Sequence, residues 1–505
     1  MSPRTLGYSL LLYAALSAGQ RWAGLHVPVL KIPFLAGSIV GWLLVVLALA
    51  AGARLAMKGA QDWNLSPLTQ KQIKRFRSIR RGWISFLLLG GLVVLTSLDG
   101  LLVGRQALAV SYQGALWFPF LKSDVIPGKS FGLDYDSETD YRSLKKRFAE
   151  ENMGNWVLLP LVPYAVTQDT DEVVETLETR ADGNVYLPEQ STAFNGRAYS
   201  VFSSDPKLKR QEFTFRRGVR QGEMQGWDEK GELAERAKYD AGKRVDYTDY
   251  SGGKAATLEA RAAPLLHTVL YPPLPPSFRH RHYLGTTTSG NDILATLFGG
   301  AQQALLAAVL FVLLTFAVGV FVGGVSGYFG GMVDLIGQRI IEIWSSLPFL
   351  FVVMIVSAIV EPNLVILVAI IAAFGWMATA MLLRTATYKE KARDYVSAAR
   401  LLGAGPGRIM FKHIVPNTIS VLVTQIPFKV AGIITALASL DFLGFGLPPE
   451  DPSWGRLLHE GTENFNYPWI VSSAFFAMVS VLVLITFVGE AIREAFDPKK
   501  FTTYE

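Results

Sequence analysis

Between Asp292 and Asp334 the chain carries no charged residue, and this long uncharged run is the strongest constraint on its fold. A bilayer core about 30 Å thick is crossed by roughly 20 apolar helical residues. The run therefore predicts a membrane-spanning helix, most naturally over residues 303–325. Six further stretches meet the same requirement: residues 34–53, 83–103, 343–360, 362–383, 418–440 and 469–489. The sequence thus predicts an α-helical polytopic membrane protein with seven spans.

The composition argues against an ordinary soluble enzyme. Half of the 505 residues are apolar, the mean hydropathy is +0.29 and 18% are charged, whereas soluble domains carry about 25% charged residues. The net charge of +6 lies in clusters beside the apolar stretches, which indicates membrane topology rather than a nucleic-acid-binding face. The absence of cysteine excludes a disulfide framework and a cysteine nucleophile.

Residues 1–56 form an N-terminal membrane extension with one or two spanning helices. One is the stretch 34–53. The shorter apolar stretch 6–19 is either a cleaved signal peptide or a further helix. We favour the uncleaved helix, which raises the prediction from seven spans to eight.

Basic clusters predict which side of the membrane each loop occupies. One lies in the segment 57–82 and another in residues 384–413, and the tail 491–505 adds Arg493, Lys499 and Lys500. By the positive-inside rule these segments, and with them both chain termini, are expected in the cytoplasm. Residues 104–300, which follow the first core span 83–103, are then an extracytoplasmic insert. Residues 301–490 form the remaining membrane core.

The insert contains a β-rich part at about residues 186–253. Aromatic and polar residues alternate there between the turn glycines Gly218, Gly231 and Gly242, a pattern typical of β-hairpins. The similar surroundings of Gly218 and Gly242 resemble two copies of the MORN repeat. This part is either a sheet without a binding role or a docking platform for a binding protein or the cell wall.

The residues before the β-rich part are less regular in pattern. Residues 105–165 are interpreted as an irregular stretch that contains one helix, at 140–152.

The second basic loop, residues 394–417, carries the most specific motif, DYVSAARLLGAGPGRIMFKHIVPN. It resembles the EAA loop of ABC importer permeases, in which a Glu-Ala-Ala triplet is followed by a glycine and then a proline at fixed spacing. Ser397, Ala398 and Ala399 stand at the triplet, Gly403 at the glycine and Pro416 at the proline. Ser397 replaces the usual glutamate.

The resemblance implies that this loop couples the chain to an ATPase subunit. Gly403 and the following Gly-Pro-Gly are expected to divide the loop into two short helices, and Pro416 to help set where the next span begins. Arg400 and Arg408 are expected to meet acidic rims of the ATPase.

Further segments resemble blocks of the dipeptide/oligopeptide permease family: LGTTTSGNDILATLFGG, GYFGGMVDLIGQRIIEIWSSLPFLF and SLDFLGFGLPPEDPSWGRLL. The resemblance covers roughly residues 66–165 and 270–500. Within the family it is nearest to C-type permease subunits of microcin C, oligopeptide and muropeptide importers.

The resemblance implies a type I ABC importer transmembrane fold in the bacterial inner membrane. The implied partners are a second permease subunit, ABC ATPase subunits and a periplasmic substrate-binding protein. ATP and Mg²⁺ are expected on the ATPase, and alternating access is the implied mechanism.

No ATP, metal or catalytic site is predicted in the chain itself. Gly128-Lys129-Ser130 ends like a phosphate-binding loop, but Ser123 stands where the preceding glycine is needed. His280 and His282 lie in an arginine-flanked linker and are interpreted as a solvated turn.

Lys429 is a lone charge near the middle of the predicted span 418–440, with Gln425 four residues before it. A charge at this depth is expected to face protein or water. It either forms an ion pair with an acid of the second permease or lines the translocation pathway and attracts substrate carboxylates.

Two other classes of protein were weighed against the importer permease. A self-contained carrier is disfavoured by the EAA spacing and by the absence of repeated halves. A membrane-anchored receptor that acts through the β-rich insert is the alternative hypothesis.

Overall fold

The computed structural model divides the chain into two compact units. A helical unit comprises Met1–Asp169, Arg281–Gly285 and Asn291–Glu505, and a sheet unit comprises Thr170–His280 and Thr286–Gly290. The residues that the structure describes are 3–23, 39–57, 67–98, 100–122, 125–167, 170, 172–202, 205, 208–250 and 265–497. The start of the predicted span 34–53, part of the basic segment 57–82, residues 251–253 and the tail beyond 497 lie outside them.

The helical unit contains one set of long apolar helices and several short ones. Its helices are α1 Pro3–Trp22, α2 Ile39–Met57, α3 Pro67–Ser78, α4 Arg80–Ser97, α5 Tyr141–Glu151, α6 Ile293–Phe329, α7 Gly331–Ser345, α8 Phe349–Ile359, α9 Leu364–Lys391, α10 Asp394–Leu401, α11 Pro406–Arg408, a π-helical turn Ile409–Ile414, α12 Val415–Phe442, α13 Trp454–Glu463 and α14 Pro468–Phe496.

Four described helical segments are long and apolar enough to cross a bilayer: α6, α9, the continuous run Pro406–Phe442 and α14. Two bent pairs, α3 with α4 and α7 with α8, would raise that number to six if each counted as one span. Several apolar helices are therefore present as predicted. The total of seven or eight spans stays a prediction.

The prediction of one span over residues 343–360 is wrong in its shape. The chain forms α7 and α8, which meet at an angle of 71°. Pro348 directly precedes α8. Because proline lacks an N–H and disfavours a helical conformation in the preceding residue, a helix usually stops before it. The predicted span 83–103 is likewise shorter as a helix, since α4 ends at Ser97.

A row of glycines brings α6 and α9 into close contact. A Cβ on Gly323 would lie 2.2 Å from the Ala380 carbonyl oxygen, and a Cβ on Gly319 would lie 2.6 Å from the Cβ of Thr379. Gly327 continues the row one turn further on, against α9 again. Small residues at this spacing let two helix backbones approach closely in a membrane. The main apolar core of the unit lies beside this contact and includes Phe311, Leu367 and Ile433.

A second link joins α7 to α9 through charge. The Arg384 guanidinium donates to both carboxylate oxygens of Asp334 at 2.5 Å, and the Tyr388 hydroxyl donates to the same carboxylate at 2.8 Å. Bidentate pairs of this kind combine strength with a defined orientation. The pair therefore fixes where α7 lies along α9.

The sequence pattern suggested an irregular stretch at residues 105–165, but the structure there is regular. Strands β1 Ala109–Tyr112, β2 Ala115–Trp117 and β3 Trp156–Leu158 form an antiparallel sheet in the order β2-β1-β3. Two 3-10 turns, Pro119–Leu121 and Gly128–Phe131, join it. The predicted helix is confirmed as α5, with Asp140 as its N-cap and Asn152 as its C-cap. Phe131, Leu144 and Phe148 are buried in a core of their own.

The sheet unit is built on an eight-stranded antiparallel sheet with the order β12-β11-β10-β8-β7-β13-β4, in which β9 pairs with β8. Its strands are β4 Val173–Thr176, β5 Glu178–Thr179, β6 Val185–Tyr186, β7 Gly196–Val201, β8 Lys209–Arg216, β9 Val219–Arg220, β10 Gly222–Trp227, β11 Leu233–Asp240, β12 Lys243–Asp249 and β13 His267–Leu270. Strands β5 and β6 pair separately.

The predicted hairpins of the insert are confirmed. Gly218, Gly231 and Gly242 lie between successive strands with φ of 77°, 83° and 83°, a region that glycine adopts without steric cost. Alternate side chains of the strands, among them Phe213 and Met224, form one buried face. The sheet is wider than the β-rich part predicted at 186–253, because β4 and β13 extend it at one side.

Candidate functional site

The EAA-like loop begins with a short helix, α10, one side of which is buried against neighbouring helices; we call this buried side its base. In α10, Val396 is fully buried and Ala399 nearly so, and both pack with Tyr328 of α6 and with Ile409 and Ile414 of the π-helical turn. The triplet thus supplies one inward-facing small residue, Ala399. Ser397 and Ala398 lie on the exposed side of the helix. A small residue at 399 is what permits the close contact with the helices beneath.

Gly403 ends this helix in a Schellman motif. The Gly403 N–H donates to the Arg400 carbonyl and the Ala404 N–H to the Ala399 carbonyl, both at 3.0 Å. Gly403 has φ of +80°, which places it in the left-handed region. A Cβ there would meet no atom within 4 Å. The requirement for glycine therefore comes from backbone conformation and not from lack of space.

Two exposed leucines that the motif comparison did not single out lie at the tip of the loop. Leu401 is 90% exposed and Leu402 88% exposed. Arg400 and Arg408 on either side are exposed as well. Leucine side chains left this open on a helix end are typical of a protein contact surface. The signal for them was present in the sequence as a Leu-Leu pair directly before the helix-ending glycine.

A tyrosine ties α10 to the end of α9. The Tyr395 hydroxyl donates to Oε2 of Glu390 at 2.7 Å, and Arg393 lies 3.4 Å from the other oxygen. Burial raises the pKa of Tyr395 above its ordinary value, and the hydrogen bond to Glu390 raises it further. The hydroxyl therefore stays protonated and keeps this bond at physiological pH.

The expectation that the loop contains two short helices is half right. The first is α10, but the second continues without interruption from Pro406 into the spanning run. Pro416 lies inside this helical run, as the second residue of α12, which begins at Val415. The π-helical turn before it accommodates the proline, since the Val415 N–H bonds to the Met410 carbonyl five residues earlier. The π-helical turn also carries the buried residues against which α10 packs.

Lys429, on α12, faces α6 and α9 of its own chain. Its Nζ donates to the Gly375 carbonyl of α9 at 3.1 Å and lies 5.4 Å and 6.0 Å from the ring centroids of Phe311 and Phe316 on α6. None of the ion pairs among the described residues includes Lys429. The ammonium is thus stabilised by a carbonyl and two aromatic faces. Gln425, one turn earlier on α12, is half-buried.

The interpretation of His280 and His282 as a solvated turn is wrong. His282 is 1% exposed, its Nδ1 lies 2.7 Å from Oδ2 of Asp292, and the Tyr164 ring stacks on it. Asp292 also caps α6, accepting the Ala295 N–H at 2.8 Å. The histidine therefore helps fix the start of α6. His280 pairs with Glu175 inside the sheet unit.

Among the described residues there is no group of three or more His, Asp or Glu side chains that could hold a metal ion.

The block 439–458 folds into a hydrogen-bonded turn between α12 and α13. Asp441 accepts from the Leu447 N–H at 2.6 Å and from the Ser453 hydroxyl at 2.5 Å. The Arg456 guanidinium donates to four carbonyl oxygens of the same turn, those of Leu447, Pro448, Pro449 and Asp451. One arginine thus holds the connecting segment in a single conformation.

Several helices long and apolar enough to cross a bilayer, together with a short glycine-ended helix exposed beside them, fit a membrane-embedded transport subunit. The chain belongs to the family of binding-protein-dependent ABC transport permeases of the inner membrane. The matching family model is described as "Binding-protein-dependent transport system inner membrane component" and covers residues 317–502, which include the loop 394–417.

Three relatives illustrate the membership. The peptidoglycan transport system permease protein YejE of Agrobacterium fabrum is 29% identical over 90% of this chain and 99% of its own length. The inner membrane ABC transporter permease protein YejE of Escherichia coli is 42% identical over 45% of this chain and 66% of its own. The oligopeptide transport system permease protein OppC of Mycobacterium tuberculosis is 34% identical over 43% and 76%.

The similarity to the Agrobacterium protein is broader than the motifs indicated. It takes in 90% of this chain, so it extends into the β-rich insert. The motifs themselves cover roughly residues 66–165 and 270–500 and leave out the first 55 residues and the β-rich insert.

Proposed function

We propose that this chain is one of two permease subunits of an ATP-driven importer for oligopeptides or peptide-like cell-wall fragments. The observation that carries the mechanism is the exposed tip of α10 on its buried base. The substrate class is supported by relatives named for peptidoglycan and oligopeptide transport. A receptor that acts through the insert alone would not need such a loop.

The loop 394–417, the basic segment 57–82 and both termini lie in the cytoplasm in this proposal, and the insert lies in the periplasm. The support is the agreement of the basic clusters with one orientation under the positive-inside rule. The sheet unit is then on the side from which a substrate-binding protein delivers its cargo.

In this proposal, movement of the ATPase is transmitted to the permease helices by side-chain packing, and this chain carries out no reaction of its own. ATP and Mg²⁺ bind on the partner ATPase, whose movement acts on Leu401, Leu402 and the flanking arginines. Because α10 packs on the π-helical turn and on α6, a shift of its tip moves the cytoplasmic ends of α6 and α12 together. These helices, with α9, surround Lys429.

We expect the tagged chain, purified in mild detergent, to bring down a second permease and its ATPase subunits. In the double variant Leu401→Ser/Leu402→Ser, recovery of the ATPase should fall at least about tenfold. Two leucines that become buried against the ATPase contribute roughly 3 kcal/mol or more to the interface. Folding of the variant should be normal, since neither side chain is packed internally.

Phe465→Ser is the matched control. Phe465 is 74% exposed and lies just before the start of α14, whereas Arg493, which the proposed topology places in the cytoplasm, lies near the end of that helix. This variant should leave ATPase recovery unchanged. A homo-oligomer without an ATPase would overturn the proposal, as would equal losses in the two variants.

Lys429 is proposed to face the translocation pathway. Lys429→Met should lower uptake of an acidic peptide by about fivefold relative to a neutral peptide of equal length, the factor for roughly 1 kcal/mol of charge attraction. Lys429→Arg should keep most of the preference for the acidic peptide. If Lys429→Met proteoliposomes kept the same ratio of acidic to neutral peptide uptake as the unmodified protein, the pathway role would be excluded and a packing role against Gly375 would remain.

A further inference from the structure

An apolar cavity of about 390 Å³ lies between the amphipathic helix α3 and three long helices. We call it the α3 cavity. Its lining comprises Gln72, Ile73 and Phe76 of α3, Phe86 and Leu89 of α4, Val423, Ile426, Pro427 and Val430 of α12, and Ile485, Val488, Ile492 and Phe496 of α14. The space is open to the outside of the helical unit, so an apolar chain can enter it. Its walls offer almost no polar atom, so water is a poor occupant.

The position of α3 points to a membrane surface. It meets α4 at an angle of 91°, so when α4 crosses the bilayer α3 lies along its surface. Ile73 and Phe76 point to the cavity, whereas Lys71 and Lys74 are exposed on the other side of α3. A helix with one basic and one apolar face in this orientation is typical of the lipid interface.

Charge on the rim of the cavity favours an anion. Arg75 and Arg81 are 3.8 Å and 3.3 Å from Glu494 and Glu490 of α14, so these acids are already matched by bases. The exposed side chains Lys71, Lys74, Arg77 and Arg80 add positive charge within two turns of the lining residues. Next to the lining residue Ile492, Arg493 lies over the Phe428 ring.

From these observations we propose that the α3 cavity binds one anionic phospholipid, with an acyl chain between α4, α12 and α14 and its headgroup at the basic side chains of α3 and the start of α4. Apolar volume and adjacent positive charge are the two features that such a lipid requires. The lipid would wedge α3 against α12, the helix that continues from the EAA-like loop.

Native mass spectrometry of the purified transporter complex tests this. The delipidated complex is mixed with equal amounts of phosphatidylglycerol and phosphatidylcholine that carry the same acyl chains. We expect about one phosphatidylglycerol to be retained per chain. Lys71→Gln/Lys74→Gln should lower its retention roughly 30-fold, because each basic residue near an anionic lipid contributes about fivefold. Retention of phosphatidylcholine should not change.

A second variant tests the cavity itself. Val423→Phe places a ring in the space and should reduce retention of phosphatidylglycerol severalfold, whereas Leu87→Phe on the exposed side of α4 should not. Lys145→Gln/Lys146→Gln is the charge control, because both lysines are exposed on α5, which does not line the cavity. The proposal would be overturned if the unmodified complex retained phosphatidylglycerol and phosphatidylcholine equally. It would also be overturned if the control variants lost as much phosphatidylglycerol as the test variants, or if the lipid bound to the isolated chain but not to the complex. The last result would mean that a partner helix fills the cavity.

Discussion

Replacement of Gly403 by valine should uncouple the transporter. The position needs a left-handed backbone with φ of +80°, which costs a β-branched residue about 1–2 kcal/mol or more. The Schellman motif would open, and Leu401 and Leu402 would no longer be presented in one orientation. We expect substrate-stimulated ATP hydrolysis by the reconstituted complex to fall at least about tenfold.

The same site allows a graded comparison. Gly403→Asn should retain more activity than Gly403→Val, because asparagine tolerates the left-handed region far better. The conformational cost of Gly403→Asp should lie between the costs of Gly403→Asn and Gly403→Val. This variant also adds a negative charge beside Arg400 and Arg408.

Gly405→Val is the control for added bulk. A Cβ at Gly405 also meets no atom within 4 Å, but its φ of −70° suits any residue. Near-normal coupling is expected. If Gly405→Val and Gly403→Val lost activity equally, the bulk of the side chain at the ATPase surface would be the cause, and the argument from the helix end would be wrong.

Replacement of Gly323 by valine should strongly destabilise the permease core. Its Cβ would lie 2.2 Å from the Ala380 carbonyl oxygen, which is backbone and cannot move aside. The two helices would have to separate along the glycine row, which costs about 3 kcal/mol or more. We expect the midpoint of thermal unfolding in detergent to fall by about 10 °C and the monodisperse fraction to shrink severalfold.

Gly91→Val in α4 is the matched control, because a Cβ there meets no atom within 4 Å and the residue also belongs to an apolar helix. It should unfold within a few degrees of the unmodified chain. A normal unfolding midpoint for Gly323→Val would show that α6 and α9 are not held by close backbone contact.

Much of the fold could be predicted because its signals are local. Membrane helices follow from apolar length, the hairpins from glycine turns, and α5 from its capping residues. The helix end at Gly403 was predicted for the same reason, since a glycine after a short helix has one favoured conformation. These features depend on a few neighbouring residues, which the sequence displays directly.

Other features depend on contacts between distant residues and were missed or misjudged. The break at Pro348 was overlooked because apolar length alone does not report a bend. His282 was interpreted as exposed, although Asp292 and Tyr164 bury it. The sequence does not distinguish the two leucines at the tip of α10 from core residues, because only the packing of Val396 and Ala399 shows which side of the helix faces inward.

The sequence by itself determined that the chain is a membrane permease and that the loop 394–417 contains a short helix ended by a glycine. Hydrophobic length, charge placement and motif spacing are properties of short segments, which is why they could be recognised. Only the tertiary structure decided what surrounds Lys429, how closely α6 approaches α9, and that α3 lines an apolar cavity. Those outcomes depend on which helix faces meet. Apolar side chains that face lipid and those that face protein have the same composition, so only the packed structure tells them apart.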